Sequence, residues 1–345
     1  MFITVCVIAY NEEKSINRIL EDISNQDYAH SDMEVVLVDG ASGDRTKCIM
    51  EKYAADNNDS PDPFRRVVVL DNPKRTLPSG WNVALKEYKG DAIIKVDAHA
   101  QIPKDFVSKN VKVLESGEYI CGGVRPTILD ESTPWRETLL LAENSMFGSS
   151  IAPYRNNPGR SYVKSMFHAA YRREVFDKVG FFNEELVRTE DNEIHYRMRK
   201  AGYKLCFDPD IISYQHIRSS LPKMLKQKYS NGYWIGVTSM VCPECLSIYH
   251  FVPFAFVTAI AATTVGQAFR KTCKIASITA KLMWGAYASL AVGMSVLSSV
   301  KAKDRRNRTN LLLPVLFLLL HLSYGIGTVA GLLKGSQSYG RNKKR

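Results

Sequence analysis

The chain has 345 residues and a formal net charge of +11, with 46 Lys and Arg residues against 35 Asp and Glu residues. The length suggests one large or two medium domains. The charge indicates an anionic partner such as nucleic acid, a membrane surface or a phosphorylated substrate. Basic residues cluster beside apolar stretches, which favours the membrane and argues against nucleic acid.

The first hundred residues alternate predicted strands and helices. The apolar runs predict strands at 4–9, 34–38, 67–70 and 92–96. Residues with helical periodicity lie between them, at 12–23, 44–55 and 80–88. Such alternation predicts an α/β domain with a parallel sheet and right-handed crossovers.

The turns after these strands are acidic rather than glycine-rich. Neither a Gly-x-Gly-x-x-Gly turn nor a Gly-Lys-Ser/Thr loop occurs, which argues against the usual dinucleotide and P-loop sites. Instead Glu12, Asp39 and Asp97 follow the first, second and fourth strands. Acidic turns suit a nucleotide held through its base, its ribose and a divalent cation that neutralises the diphosphate.

Asp97 and His99 lie two residues apart, on the same side of the chain, where the fourth strand ends. Magnesium binds through one or two carboxylates plus substrate phosphates, and the imidazole of His99 would also accept manganese. Taken alone, Asp-x-His is as well explained by an ordinary turn with a capping Asp. We therefore predict a Mg²⁺ or Mn²⁺ site here on the strength of the neighbouring acidic turns.

A second acidic group, Glu190 and Asp191, opens a predicted helix that ends at Gly202. Thr189 would cap this helix, and acidic residues in its first turn stabilise the helix dipole. The alternative is catalytic, because a carboxylate here would serve as a general base if it lies within reach of an acceptor hydroxyl.

Three apolar stretches, 246–268, 275–300 and 311–333, are each long enough to cross a bilayer. The middle one is rich in small residues, and a core helix is the alternative reading. We predict two to three transmembrane helices in a membrane region at 236–345, after a first domain at 1–235. No secretory signal opens the chain, so that domain is expected in the cytoplasm of a multi-pass membrane protein. The basic tail would then lie outside, against the positive-inside rule.

Four motifs in this order resemble a family 2 glycosyltransferase of the GT-A fold. They are Val5 to Glu13, Val38 to Thr46, Val96 to Ala100 and Thr189 to Arg197. The Asp-Ala-His form and the apolar tail bring the chain nearest to the succinoglycan-type exopolysaccharide glycosyltransferases. The resemblance covers about residues 3–235 and implies a Rossmann-like mixed sheet, a nucleoside-diphosphate-sugar donor and a lipid-linked glycan acceptor.

The resemblance also implies roles for individual residues. Asp191 would deprotonate the acceptor hydroxyl, with Glu190 as its weaker rival, in a single displacement that inverts the anomeric carbon. Asp97 would contact the metal and the diphosphate, with His99 where many relatives have a second Asp. The remaining donor-nucleotide residues would be Ala9, Tyr10, Asn11, Glu12, Asp39, Lys74, Arg75 and Asn82. A basic pair on a surface loop is the alternative for Lys74 and Arg75.

The segment from Arg218 to Trp234 departs from the processive members of this family, which carry Gln-x-x-Arg-Trp. Here Gln227 is followed by Lys-Tyr-Ser, and Trp234 falls later, which favours addition of one sugar per encounter. The segment is basic and aromatic and suits an anionic headgroup region. We therefore expect it, including Lys228, to help hold the acceptor at the membrane. A nucleotidyltransferase and an inactive membrane scaffold of the same fold remain as alternatives.

Overall fold

A computed structural model describes residues 1–148, 159–268 and 274–342. Their contacts form two compact units. The first unit comprises Met1–Pro126 and Ala152–His216, and the second comprises Thr127–Ile151 and Ile217–Arg345. Residues 217–235, assigned by sequence to the first domain, contribute to the second unit.

The first unit is built on an eight-stranded sheet with strand order β3-β2-β1-β4-β9-β6-β10-β8. Its strands are β1 (Ile3–Ala9), β2 (Met33–Asp39), β3 (Arg66–Asp71), β4 (Ala92–Asp97), β6 (Ile120–Val124), β8 (Ser161–Val163), β9 (Ala170–Arg172) and β10 (Leu205–Ile212). Strands β3, β2, β1 and β4 run parallel, as predicted. Strand β9 is antiparallel to both β4 and β6, so the sheet is mixed, as the resemblance implies.

Helices and short strands complete the first unit. They are α1 (Ile16–Ser24), α2 (Thr46–Asp56), α3 (Leu77–Glu87), α4 (Phe106–Glu115), α6 (Arg173–Val179) and α7 (Glu190–Lys200), with β5 (Ala100–Gln101) and β11 (Tyr214–His216). Helix α3 begins three residues before its predicted start. Thr76 accepts a hydrogen bond from the Ser79 backbone, and Pro78 suits the first turn.

The two faces of the sheet bury separate apolar clusters, and β4 contributes to both. Ala92, Ile94 and Val96 pack in one cluster, and Ile93 packs in the other. Because side chains alternate along a strand, Lys95 and Asp97 share the face of Ile93. A charged side chain therefore enters one apolar cluster directly behind the strand-end carboxylate.

The second unit is helical. It contains β7 (Thr127–Ile128), α5 (Pro134–Asn144), α8 (Leu221–Val241), α9 (Val252–Ala268), α10 (Lys274–Lys301) and α11 (Leu313–Asn342). Its buried apolar cluster joins α5, α8, α10 and α11. The helical segments Ile248–Gly266, Ser277–Lys301 and Arg308–Gly335 are long and apolar enough to cross a membrane. These are the three stretches that the sequence singles out.

Helices α8 and α11 touch backbone to backbone through glycines. A Cβ on Gly232 would lie 1.9 Å from the Tyr324 carbonyl oxygen, and one on Gly331 would lie 1.9 Å from that of Tyr233. One on Gly327 would lie 2.1 Å from the Tyr229 carbonyl oxygen. Such small-residue contacts let two helices approach closely. Later residues of α8 contact later residues of α11, so the two helices run parallel.

Candidate active site

The turns after β1 and β2 are joined by hydrogen bonds. The Asn11 backbone donates to Ser42 Oγ at 3.0 Å, and the Gly43 backbone donates to Asn11 Oδ1 at 2.8 Å. The Glu12 backbone donates to Thr46 Oγ1 at 2.8 Å. Asn11 has a positive φ of 55°, which Asn tolerates better than most residues. The two turns thus form one ordered edge at the carboxyl ends of the strands.

Asp39 lies at the end of β2 opposite Ala9 in β1. Its side chain is buried and accepts a hydrogen bond of 3.1 Å from the Ser42 backbone. Gly40 allows this packing, because a Cβ there would approach the Ala9 carbonyl oxygen and Tyr10 Cβ at 3.2 Å each. Tyr10 itself is exposed, so the β1 turn presents an aromatic ring to solvent beside a buried carboxylate.

Asp97 ends β4 and is held by residues from later in the chain. Its Oδ2 lies 3.1 Å from His168 Nε2 and 3.9 Å from Arg125. Burial lowers the pKa of His168 despite the nearby Asp97. The ring is held from its other side, with Nδ1 2.8 Å from the hydroxyl of Ser213. Burial acts to raise the pKa of Asp97, but His168, His99 and Lys95 together outweigh it and hold that pKa well below the usual value.

His99 and Glu12 link the turn after β4 to the turn after β1. The His99 Nδ1 lies 3.2 Å from Glu12 Oε1, and both side chains are partly exposed. Asp97 and His99 therefore offer a carboxylate and an imidazole at one strand end, which is a donor set that Mg²⁺ or Mn²⁺ accepts. Among the described residues, no group of three or more His, Cys, Asp or Glu is placed to hold an ion. Substrate phosphates would have to complete the coordination of a cation bound by these two residues.

Lys95 and the first turn of α7 form a buried charge cluster. The Lys95 ammonium lies 2.5 Å from Asp191 Oδ1 and 3.6 Å from Glu190 Oε1. Burial acts to lower the pKa of Lys95, but the two carboxylates outweigh it and raise that pKa. Burial, reinforced by Asp191, raises the pKa of Glu190 to about 8. The cluster thus holds one ammonium beside two carboxyl groups, of which Glu190 keeps its proton to a higher pH than an ordinary carboxyl group.

The residues of α7 that follow this first turn hold the helix in place. His195 is fully buried, with Nδ1 3.0 Å from Ser165 Oγ and Nε2 2.7 Å from the Tyr171 hydroxyl. Burial lowers the pKa of His195 to about 4. Arg197 pairs with Glu193, one turn earlier, through two hydrogen bonds of 2.6 and 2.9 Å. These contacts fix the orientation of the acidic turn. Thr189 precedes the helix, but its side chain makes no capping hydrogen bond.

Two of the predicted donor-nucleotide residues, Lys74 and Asn82, contact the loop that carries Phe182 and Glu184. Lys74 pairs with Glu184 at 2.7 Å, and Asn82 donates to the same carboxylate at 3.0 Å. Asn82 also exchanges hydrogen bonds with the backbone of Phe182. Arg75 is exposed and has a positive φ of 62°. Asn82 therefore organises a loop, and the donor role of these three residues stays a prediction.

The predicted acceptor residues belong to the second unit. Arg218 precedes α8, and Gln227 and Trp234 lie on that helix, all three partly exposed. Lys228 is buried instead, with its ammonium 3.0 Å from Glu143 on α5. The expectation that Lys228 faces an acceptor headgroup is therefore replaced by a buried ion pair.

Sequence reasoning missed three side chains that hold the acidic groups. Lys95 lies within an apolar strand pattern, and neither His168 nor Arg125 was among the predicted site residues. A lysine inside an otherwise apolar strand run, two residues before an acidic strand end, is the signal that could have identified the first of them.

The chain is similar in sequence to several known proteins. The family model described as Glycosyl transferase family 2 matches residues 4–180. The dolichyl N-acetyl-alpha-D-glucosaminyl phosphate 3-beta-D-2,3-diacetamido-2,3-dideoxy-beta-D-glucuronosyltransferase of Methanococcus voltae is 24% identical over 98% of this chain and 99% of its own. The succinoglycan biosynthesis protein ExoA of Rhizobium meliloti is 24% identical over 94% and 92%, respectively.

Two solved structures share the fold. The mannosyltransferase PcManGT from Pyrobaculum calidifontis, in complex with GDP-Man and Mn²⁺, superposes with a TM-score of 0.56 at 18% identity, covering 96% of this chain and 87% of that one. Residues 1–349 of Staphylococcus aureus TarS, in complex with UDP-GlcNAc, give a TM-score of 0.50 at 17% identity, with coverages of 96% and 91%. The GT-A-like mixed α/β fold is thereby confirmed.

Proposed function

Since the chain belongs to glycosyl transferase family 2, we propose that it moves a sugar from a nucleoside-diphosphate sugar to a lipid-linked saccharide in cell-surface glycan synthesis. Transfer proceeds by one displacement with inversion, and one sugar is added per encounter. The observation that carries the proposal is the linkage of the acidic segments. Glu12 contacts His99, Asp97 ends the same strand as Lys95, and Lys95 contacts Asp191.

Asp191 is the base in this mechanism. The acceptor hydroxyl attacks the anomeric carbon while the bond from that carbon to the diphosphate oxygen breaks. The hydroxyl proton passes to Asp191, and the nucleoside diphosphate leaves. Glu190 is a poor rival, because its raised pKa keeps it protonated near pH 7. A carboxylic acid that already holds its proton cannot accept another from the acceptor.

The donor would bind at the edge formed by the turns after β1 and β2. Asn11, Tyr10 and the buried Asp39 would hold the base and ribose. Asp97 and His99 would hold a divalent cation, which when bound neutralises charge on the diphosphate. His168 keeps the carboxylate of Asp97 in place. All of these residues lie in the first unit.

Membrane attachment is part of the proposal. The segment Ile248–Gly266 has none of its apolar window buried inside the protein. An apolar segment of 19 residues with none of its window buried suits a lipid environment. The relative from Methanococcus voltae carries a dolichyl-linked sugar phosphate in its name, which supports a lipid-linked acceptor.

The test is a transfer assay on the full chain in lipid nanodiscs. A panel of UDP, GDP and dTDP sugars is supplied with Mn²⁺, with Mg²⁺ or with a chelator, and with polyprenyl-diphosphate-linked saccharides as acceptors. We expect release of nucleoside diphosphate with at least one donor, loss of that release with chelator, and inverted linkage in the product.

Asp191→Asn should lower the turnover number by about 10² to 10⁴-fold, the usual contribution of a general base. The exposed carboxylate of Asp177, on α6, provides the matched control Asp177→Asn, which should behave as wild type. Full activity in Asp191→Asn would disprove the base assignment, and retention of stereochemistry would disprove the single displacement.

A further inference from the structure

We propose that Lys95 is a positioning residue for the catalytic base, with its ammonium holding one oxygen of Asp191 so that the other faces the acceptor. The inference rests on the proposed function, because it requires Asp191 to act as the base. It goes further by assigning a role to a buried cation on the strand that ends at Asp97.

The side chain of Lys95 is buried and held by several neighbouring side chains. Its side chain is 5% exposed and lies on the face of β4 that also carries Asp97. The ammonium lies 5.2 Å from the ring centre of Trp81 and 5.9 Å from that of Phe182. Cation–π contacts of this kind stabilise a desolvated ammonium. Lys95 therefore has little room to leave Asp191.

The charges around Lys95 leave one anion for one cation. Asp191 Oδ1 lies 2.5 Å from the ammonium, within strong charge-assisted hydrogen-bond distance. Glu190, at 3.6 Å, is protonated near neutral pH because of its burial and its neighbour. The ion pair thus belongs to Asp191, whose side chain is 15% exposed, whereas that of Glu190 is 4% exposed.

Packing alone gives little reason for a lysine here. The neighbours of Lys95 include Trp81, Phe182 and Ile93, all of them aromatic or aliphatic. Replacing a buried ion pair by well-packed apolar groups is often neutral or stabilising. A charge is needed if the carboxylate opposite must stay ionised and oriented, and Asp191 is such a carboxylate.

The contact also joins two parts of the site. Lys95 lies two residues before Asp97 on a rigid central strand, and Asp191 lies on a helix 96 residues later in the chain. Misplacing a reacting group by about 1 Å can lower a rate by about 100-fold. Fixing the first turn of α7 against β4 sets the distance between the base and the metal-binding end of that strand.

The experiment compares Lys95→Met, Lys95→Arg and wild type, each in nanodiscs with the donor that wild type uses. We expect Lys95→Met to lower kcat for transfer by about 100-fold. The KM for the donor, and the affinity for the corresponding nucleoside diphosphate measured by calorimetry, should stay near wild type. Lys95→Arg restores a charged donor and should recover part of the lost kcat.

The matched control is Lys109→Met. Lys109 pairs with Asp105 at 2.8 Å on α4, is about one-third exposed and belongs to no part of the site. This substitution removes a paired lysine from the same unit and should leave kcat and KM unchanged.

Wild-type kcat in Lys95→Met would overturn the positioning role while leaving the proposed function intact. Equal losses of kcat and nucleotide affinity, with no recovery in Lys95→Arg, would show a purely structural role and overturn it too. If Lys95→Met does not fold, Lys95→Gln replaces it, because its shorter side chain removes the charge and keeps a polar group in the cluster; a lowered kcat at unchanged nucleotide affinity supports the proposal, and wild-type kcat refutes it. Absence of any transfer by wild type would overturn both proposals.

Discussion

Each unit of this protein buries a lysine against a carboxylate, and the two sites differ in their surroundings. In the first unit Lys95 faces both Asp191 and Glu190 beside the carboxyl edge of a sheet. In the second unit Lys228 on α8 pairs with Glu143 on α5 at 3.0 Å. Their side chains are similarly covered, at 5% and 8% exposed.

The difference shows how a buried ion pair can serve structure or chemistry. Lys228 and Glu143 come from helices that share an apolar cluster, so their pairing aligns α5 with α8. Lys95 lies beside two carboxyl groups, one more than its single positive charge can balance. The second group, Glu190, takes up a proton. A surplus of this kind is typical of sites where pKa values are tuned for proton transfer. Four predictions test this comparison.

The largest expected effect on stability is at the second pair. Lys228→Met leaves the carboxylate of Glu143 buried without its ammonium partner, which should lower the free energy of unfolding by about 3 to 5 kcal/mol. Adding Glu143→Leu should restore most of that loss, because both charges are then gone. Thermal unfolding in detergent, followed by tryptophan fluorescence, measures both variants. If the double variant is no more stable than the single one, the pair is not the stabilising contact.

The next effect concerns Glu190 and its pH dependence. Its pKa is about 8 in the folded protein against an ordinary value of 4.5, so the folded state binds the proton more tightly. Its contribution to stability is therefore complete at low pH and is lost as the pH rises from about 4.5 to 8. Glu190→Gln should show a flatter stability profile over this range and should keep transfer activity at pH 7. Loss of transfer equal to that of Asp191→Asn would instead make Glu190 the base.

A smaller effect of opposite sign is expected at His195. Its pKa is lowered from 6.5 to about 4 in the folded protein, so the unfolded chain binds the proton more tightly. Stability is complete above pH 6.5 and falls as the pH drops towards 4, by about 3 kcal/mol at 1.4 kcal/mol per pKa unit. Chemical unfolding of wild type and His195→Gln at several pH values checks this. An equally steep acid decline in the variant would place its origin elsewhere.

The smallest effects are those of matched helix caps, one in each unit. Thr76 accepts a hydrogen bond from the Ser79 backbone at the start of α3, and Thr133 does so from Arg136 at the start of α5. Each Thr→Ala change should lower stability by about 1 kcal/mol, and each Thr→Ser change should be milder. Equal shifts in apparent Tm would show that the two units respond alike to local changes. The contrast between their lysines would then be specific to the charge clusters.

The parts of the fold encoded by local patterns were predictable from the sequence. Strands β1 to β4 and the apolar face of α1 follow from runs and spacings within a dozen residues. Strand β9 was not predictable, because Ala170–Arg172 is three residues long and becomes a strand only through pairing with β4 and β6. The first residues of α3 were missed because the cap at Thr76 was not recognised.

The site divides in the same way. Asp39, Asp97 and Asp191 could be selected because each lies at the end of a strand or the start of a helix. Lys95 stands out as a charged residue in an apolar strand, but its partner, like that of His168, lies far along the chain. Acidic positions are thus visible in a sequence, whereas the pairing of the groups that hold them in place becomes visible only in three dimensions.

The glycine contacts between α8 and α11 have a consequence for synthesis of the protein. Gly232 on α8 packs against Tyr324 on α11. About ninety further residues must therefore be synthesised before α8 can complete its packing. Leu139 on α5 waits about twice as long for Phe317 of the same late helix, with which it shares an apolar cluster. A nascent chain that has not yet released α11 therefore exposes the apolar faces of both earlier helices to the ribosome exit region and to chaperones. Quality control of this protein should accordingly be most sensitive to changes in α11, which carries none of the proposed catalytic residues.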